Sequence, residues 1–194
     1  MKLLLHVCCA PCSTYTLSKL REQNIEVSGY FYNPNIHPFR EFKRRLTTMK
    51  EFATQANFDL ITEDEYGLTE YLRKVVFNEK QRCSICYNMR LEKTAEQAVK
   101  SGADAFSSTL LYSRYQKHEN IVATGKKIAN KYGIEFYYED FREGWQEGID
   151  KAIEMDLYRQ PYCGCIYSEQ ERYDNRLKKK LRKERKQALN AIIS

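Results

Sequence analysis

Seven cysteines fall in three short segments: Cys8, Cys9 and Cys12 in HVCCAPCS, Cys83 and Cys86 in RCSIC, and Cys163 and Cys165 in YCGC. Thiols that serve only packing scatter singly along apolar runs, whereas these cluster beside Pro, Gly, Arg and Tyr. The grouping points to a shared metal or redox site. RCSIC has the spacing at which one loop grips one metal centre. A single CxxC is equally compatible with zinc, with iron–sulfur and with thiol exchange, and the company of further thiols weakens exchange. Two sulfurs from the first segment and two from RCSIC satisfy either tetrahedral zinc or a 4Fe-4S cube, and spacing does not choose between them.

YCGC differs in kind. Only Gly164 separates Cys163 from Cys165, so a disulfide between them closes a very small ring, stores strain and is easily reduced. Such a bond is a poor staple and a plausible electron reservoir. The competing reading makes both thiols metal ligands. Arg82 and Arg90 flank the CxxC pair and can offset thiolate charge, although surface salt bridges explain them as well.

These residues need elements to position them. KLLLHV at residues 2–7 reads as a buried strand, Ser13 as the cap of a helix to about Gln23, and VSGYFY at 27–32 as a second strand. Phe42, Leu46, Met49, Phe52 and Ala56 recur at helical spacing, and FDLIT from Phe58 is a third strand. A helix from Ile85 to about Lys100 precedes the strand ADAFSST, and one from about Glu119 to Lys131 precedes IEFYY. This alternation predicts an α/β fold, a mostly parallel sheet flanked by helices. Residues 1–194 are expected to form a single α/β domain, with 141–194 a helical, basic C-terminal appendage. In such sheets ligands collect at the carboxyl ends of strands, which puts HVCCAPCS, the loop leaving the first strand, in the default crevice. Cys12 and Ser13 then stand at a helix start that favours thiolate.

The formal net charge is +6, and residues 176–186 (RLKKKLRKERK) hold eight basic residues and one acidic one. Arg40, Lys43, Arg44 and Arg45 form a second basic patch, and 15 tyrosines with nine phenylalanines supply stacking faces. Together they favour a nucleic-acid partner. No apolar stretch approaches the roughly 20 residues of a membrane span, so no membrane partner is expected. The odd cysteine count and the short apolar start argue for a reducing, cytoplasmic location rather than export.

LLLHVCCAPC, the YNPNIHP run from Tyr32, RCSICYNMRL from Arg82, FSSTLLYS from Phe106 and LYRQPYCGCIYS from Leu157 together resemble the epoxyqueuosine reductase QueH family over essentially the whole chain. The resemblance implies a HUP-type (adenine nucleotide alpha hydrolase-like) core. It also implies reduction of the epoxide of epoxyqueuosine at the tRNA wobble position to queuosine, the last step of that modification, without cobalamin and with an external electron donor. By position it makes Cys8, Cys9, Cys83 and Cys86 the ligands of a 4Fe-4S cluster, and Cys163 with Cys165 the redox-active disulfide pair. An additional iron accompanies the cluster in the family, held by cysteines and a carboxylate. Cys12 stands where some members have Asp, as a possible auxiliary ligand.

Around these, Asn33, Asn35, Tyr112 and the basic residues Lys178, Lys179 and Lys180 are candidate contacts to the tRNA anticodon loop. Tyr162 and Tyr167 are candidates for stacking or hydrogen bonding. For proton delivery His6 reads as a core or supporting group, and His37 and His118 as more exposed candidates; Asp140 and Arg142 are supporting ones. Two other classes remain. A zinc-stabilised RNA-binding module keeps the thiolates and the basic tail but has little use for CGC. A HUP-fold ATP-dependent sulfur-transfer enzyme needs an SGGxDS phosphate loop, which CCAPCS does not supply.

Overall fold

The computed structural model of the protein describes residues 1–193. Five parallel strands, β1 (Lys2–His6), β2 (Glu26–Phe31), β3 (Leu60–Thr62), β4 (Ala105–Ser108) and β5 (Glu135–Phe136), form one sheet in the order β3-β2-β1-β4-β5. Central β1 pairs on both sides, Leu3 lying opposite Val27 and Ala105. Its residues from Leu3 to His6 are buried, which is why it reads as an unbroken apolar run rather than an alternating one. The chain winds outward from β1 to β3, then returns to the far side of β1 for β4. That reversal opens a crevice beyond the carboxyl ends of β1 and β4.

The edge strands are shorter than their sequence patterns suggest. IEFYY contributes only Glu135 and Phe136 to β5, because it has one neighbour and its ladder ends after the Tyr137 amide donates to the Phe106 carbonyl (2.9 Å).

The helices are α1 (Ala10–Glu22), α2 (Phe39–Gln55), α3 (Leu68–Val75), α4 (Arg82–Ser101), α5 (His118–Tyr132), α6 (Trp145–Glu154), α7 (Ile166–Tyr173) and α8 (Asn175–Ile193). α2 buries Phe42, Leu46, Met49, Phe52 and Ala53, and at roughly 1.5–3 kcal/mol for each large apolar side chain removed from water this stripe fixes it on the sheet. α4 and α5 stop at Gly102 (φ +68°) and Gly133 (φ +65°).

Two expected boundaries move. α1 begins at Ala10 with Cys9 as its cap residue, and Ser13 lies inside the helix with its hydroxyl donating to the Cys9 carbonyl (2.9 Å). α4 begins at Arg82 rather than Ile85, so Cys83 lies in its first turn and Cys86 at the start of its second, instead of in a loop. The cause is the short 3-10 turn Glu79–Gln81, which leads directly into the helix. α3 has no counterpart in the sequence pattern, since only Tyr71 and Val75 of its eight residues are buried.

The helical extension begins with a 3-10 turn at Phe141–Gly144, followed by α6, which packs along α1. Gly148 lets α6 close over Tyr112 of the turn after β4, because a Cβ there would come within 2.3 Å of the Tyr112 hydroxyl. Asp174 caps α8, its Oδ1 accepting from the Arg176 and Leu177 amides (2.9 and 3.1 Å). Ser194 of the expected extension, and the side chains of Arg185 and Lys186 in the basic run, lie outside the described residues.

Candidate metal and redox site

All three cysteine segments converge on helix N-termini around the crevice. Cys9 caps α1 with Cys12 in its first turn, Cys83 and Cys86 open α4, and Cys165 caps α7, its sulfur accepting from the Ser168 amide (3.4 Å). The first amides of a helix have no intrahelical acceptor and carry the positive end of its dipole, so they can donate to sulfur, as the Ser168 amide does to Cys165.

The sulfurs of Cys8, Cys9 and Cys12 lie within 4.8 Å of one another, and those of Cys8 and Cys9 are 3.6 Å apart. Metal–sulfur bonds of ~2.3 Å in a tetrahedral site put sulfurs ~3.8 Å apart, so this triad can close on one soft ion with little movement. Cys83 and Cys86 are not part of that tight group, and a cube needs wider sulfur separations than a single ion does.

Three groups give the triad its electrostatics. The Cys12 and Cys9 thiols donate to Cys8 and, helped by Arg90, hold it well below the ordinary thiol range. Burial pushes Cys9 upward, and Cys12 rises because the proton it shares with Cys8 and Cys9 is held there. The triad thus behaves as one thiolate solvated by two thiols. The Gln160 amide donates to Cys9 (2.9 Å), while the Gln160 carbonyl oxygen is buried with no partner among the described residues.

Arg90 connects the triad to α4. It is 2% exposed, yet no carboxylate answers it among the described residues: Nε donates to His6 Nε2 (3.2 Å), Nη2 to Asn33 Oδ1 (2.7 Å) and Nη1 faces the Cys86 sulfur at 3.7 Å. A buried guanidinium without a counter-charge is costly, so the nearby thiols are its natural anions. Burial pushes Cys86 up to about 12, with Arg90 opposing. His6 Nε2 lies 3.2 Å from both Arg90 Nε and the Tyr32 carbonyl oxygen, and its Nδ1 faces the Ser108 hydroxyl (2.9 Å). Burial and Arg90 together lower the His6 pKa to about 3, which leaves it a neutral structural link. Arg82, by contrast, pairs with Glu171 and ties α4 to α7.

The CGC loop is clamped from α2. Arg45, expected in a surface basic patch, is 2% exposed. It pairs with Glu41 (2.7 Å) and donates to the Cys163 and Tyr162 carbonyls (2.8 and 2.9 Å). The reason is geometric: α2 turns Arg45 inward beside Phe42 and Leu46, where the loop's carbonyls need donors. Gly164 has φ +145°, and a Cβ there would meet Asn35 Nδ2 at 3.1 Å. Cys163 is exposed and hydrogen-bonded by the Gln116 amide (3.1 Å), whereas Cys165 is buried.

Several expected contacts sit deeper than their sequence context suggests. His37 and His118 are buried at 1% and 7% exposure, not at the surface. His37 lies between the edges of Tyr66 and Tyr71, and its pKa is lowered to about 4 by burial. Pro34 and Ile36 pull the turn into the core and carry the histidine with it. Asn33 is committed at both ends, to Arg90 and to the Val7 carbonyl (3.0 Å). Tyr112 stacks on Trp145 and donates to its carbonyl (2.8 Å). Asn35 keeps a buried Oδ1 without a partner among the described residues. Tyr162 donates to the His37 carbonyl. Tyr167 lies beneath the Arg82 guanidinium, 5.6 Å from its ring centroid. Asp140 and Arg142 form a partly exposed pair remote from the thiols. Lys178, Lys179 and Lys180 lie on α8.

Sequence reasoning missed Glu41, Tyr71, Gln116 and Gln160. Glu41 carried a signal in its i,i+4 spacing to Arg45, and Gln160 lies inside the LYRQPYCGCIYS run. A separate cleft of about 570 Å³ is lined by Glu63, Glu65, Glu70, Glu92 and Glu96 with Lys74 and Lys93; its carboxylates repel a phosphate backbone.

A parallel α/β sheet whose crevice is lined by helix-terminal thiols and a buried counter-cation defines a cysteine-based metal or redox protein. Comparison with known proteins narrows that class. The family model for "Epoxyqueuosine reductase QueH" matches residues 3–171. The QueH of Dehalococcoides mccartyi is 45% identical over 172 residues, covering 89% of this chain and 94% of the relative. The QueH of Thermotoga maritima is 37% identical over 180 residues, covering 87% and 91%. The chain belongs to the QueH family, and its activity is that of an epoxyqueuosine reductase in queuosine biosynthesis, an oxidoreductase whose family identity implies a tRNA substrate. A solved structure described as a predicted subunit of tRNA methyltransferase from Methanocaldococcus jannaschii aligns with a TM-score of 0.50 at 15% identity, over 78% of this chain and 75% of that one, which supports the fold alone. No helix among the described residues is long and apolar enough to cross a membrane.

Proposed function

We propose that the chain uses a 4Fe-4S cluster held by Cys8, Cys9, Cys83 and Cys86, with Cys12 as auxiliary ligand to an additional iron, and Cys163 with Cys165 as a redox-active dithiol. The observation that carries this reading is the buried Arg90 between the two ligand segments, a fixed cation that faces cysteine sulfur and, among the described residues, no carboxylate. The compact triad fits a soft metal beside the first segment. When bound, the cluster supplies one-electron transfer and a Lewis-acidic iron.

The protein's own residues account for the rest. Opening an epoxide to an alkene consumes two electrons and two protons and releases water. Two thiols supply both: their protons leave in the water, and their sulfurs join as the Cys163–Cys165 disulfide, which a low-potential external donor reopens. Arg45 holds the loop carbonyls, Gln116 orients the Cys163 thiol, and the Ser168 amide at the α7 terminus donates to the Cys165 sulfur. The substrate reaches this site as an unstacked wobble nucleotide of the tRNA anticodon loop, with Lys178, Lys179 and Lys180 holding flanking phosphates and Asn35 facing its polar groups. The core is HUP-like, and the setting is cytoplasmic.

The test is anaerobic purification with iron and sulfide analysis, then incubation with epoxyqueuosine-containing tRNA and a low-potential reductant, read by nucleoside mass spectrometry. About four irons and four sulfides with queuosine formed support the reading, and iron beyond four supports the auxiliary site. Stoichiometric zinc without product refutes it.

A further inference from the structure

The turn that joins β4 to α5 carries Arg114, Tyr115, Gln116 and Lys117 along the rim of the thiol site. Gln116 points inward and donates to the exposed Cys163 sulfur (3.1 Å) and accepts from the Tyr87 hydroxyl (2.8 Å). The neighbours it anchors face solvent: Arg114, Tyr115 and Lys117 are exposed, and Tyr115 is 83% so. Tyr115 meets Trp145 edge-on with ring centroids 5.5 Å apart, Arg114 lies over the same indole at 5.9 Å, and Trp145 is stacked from beneath by buried Tyr112 at 5.1 Å.

An isolated exposed tyrosine calls for no explanation. This one is held by an aromatic stack with a buried base, is bracketed by two cations, and stands one residue from the side chain that contacts the reactive thiol. We infer that Tyr115, supported by Trp145, is a stacking platform for an anticodon-loop nucleotide beside the wobble position, with Arg114 and Lys117 on its phosphates. The inference rests on the tRNA reading above and names the residues that receive the substrate. A flat, rigid face suits an unstacked base of any identity, and exposed cations suit the backbone that links it to the nucleotide turned toward Cys163. The aromatic contact anticipated from sequence at buried Tyr112 thereby passes to Tyr115, three residues on.

Trp145 is the single tryptophan of the chain, so its fluorescence reports directly on this ledge. The full-length protein is titrated with an anticodon stem-loop RNA, following Trp145 emission and, independently, the anisotropy of labelled RNA. The wild type should bind with a saturable change in Trp145 emission. Tyr115→Ala should weaken binding by about 5- to 150-fold, the range for losing one base–aromatic stack, and Tyr115→Trp should recover affinity by anisotropy. Arg114→Ala should lower the salt dependence of binding. Since Tyr115 is exposed, these variants should keep the wild-type melting temperature. Wild-type affinity in a folded Tyr115→Ala variant overturns the platform and leaves the tRNA reading intact. Failure of the wild type to bind any stem-loop overturns both.

Discussion

Replacing Arg90 with methionine tests the electrostatics of the site most directly. The side chain has similar length and apolar character, so packing is largely kept while three polar contacts are lost. His6 Nε2 keeps the Tyr32 carbonyl at 3.2 Å as a partner, whereas Asn33 Oδ1 is left as an acceptor without its donor in the interior, at a cost of ~1–3 kcal/mol. Relief from desolvating a guanidinium offsets part of it. With ~2–4 °C lost per kcal/mol in a domain of this size, metal-free protein should melt lower by about 2–12 °C less that offset. The charge 3.7 Å from the Cys86 sulfur contributes up to ~4 kcal/mol to a thiolate there at an effective dielectric of ~20. Since one pH unit is ~1.4 kcal/mol, even a third of that effect moves thiolate formation upward by about one unit. Cobalt(II) added to reduced, metal-free protein reports thiolate ligation by its charge-transfer absorbance, and the pH midpoint of binding should rise by about that amount. Arg90→Lys should recover part of the midpoint but little of the stability, because one ammonium cannot serve three diverging acceptors. An Arg90→Met protein with unchanged melting temperature and cobalt midpoint would refute the reasoning.

Cys163→Ser and Cys165→Ser should each abolish queuosine formation while leaving iron content at the wild-type level; loss of iron in either would make that thiol a ligand instead. Gly164→Ala forces a side chain into φ +145° against Asn35, and should cost ~1–3 kcal/mol of local strain, visible as faster proteolysis at the CGC loop. His37 is neutral in the fold, with its pKa lowered to about 4 from an ordinary 6.5. The unfolded chain therefore binds the extra proton first as pH falls, so stability is full above pH 6.5 and declines by up to ~1.4 kcal/mol per unit toward pH 4. His37→Phe should flatten that part of the denaturant-midpoint profile. Charge reversal at Lys178, Lys179 and Lys180 should weaken tRNA binding and its salt dependence with the metal content unchanged; unaltered affinity would remove α8 from the RNA interface.

The alternation of apolar strands and amphipathic helices was legible in the chain because each signal is local. Strand β1 needs only LLLH, α2 only its Phe42, Leu46, Met49 and Phe52 stripe, and the ends of α4 and α5 only Gly102 and Gly133. The cysteine segments were legible for the same reason: thiol spacing is a property of neighbouring residues. Short edge elements were not, since β5 and α3 depend on what covers them more than on their own pattern.

What the sequence alone determined, then, was the chemistry available: seven thiols in three places, on a parallel α/β scaffold, with a basic tail. Tertiary structure decided how that chemistry is housed. It placed all three segments at helix N-termini, turned Arg45 and Arg90 from apparent surface cations into buried clamps, and drew Asn33, His37 and Tyr112 inside. It also brought Gln116 and Gln160 onto sulfurs across sequence separations of 47 and 151 residues. Charge and exposure at a residue depend on which other elements pack over it, and that long-range information is not carried by any local run of amino acids.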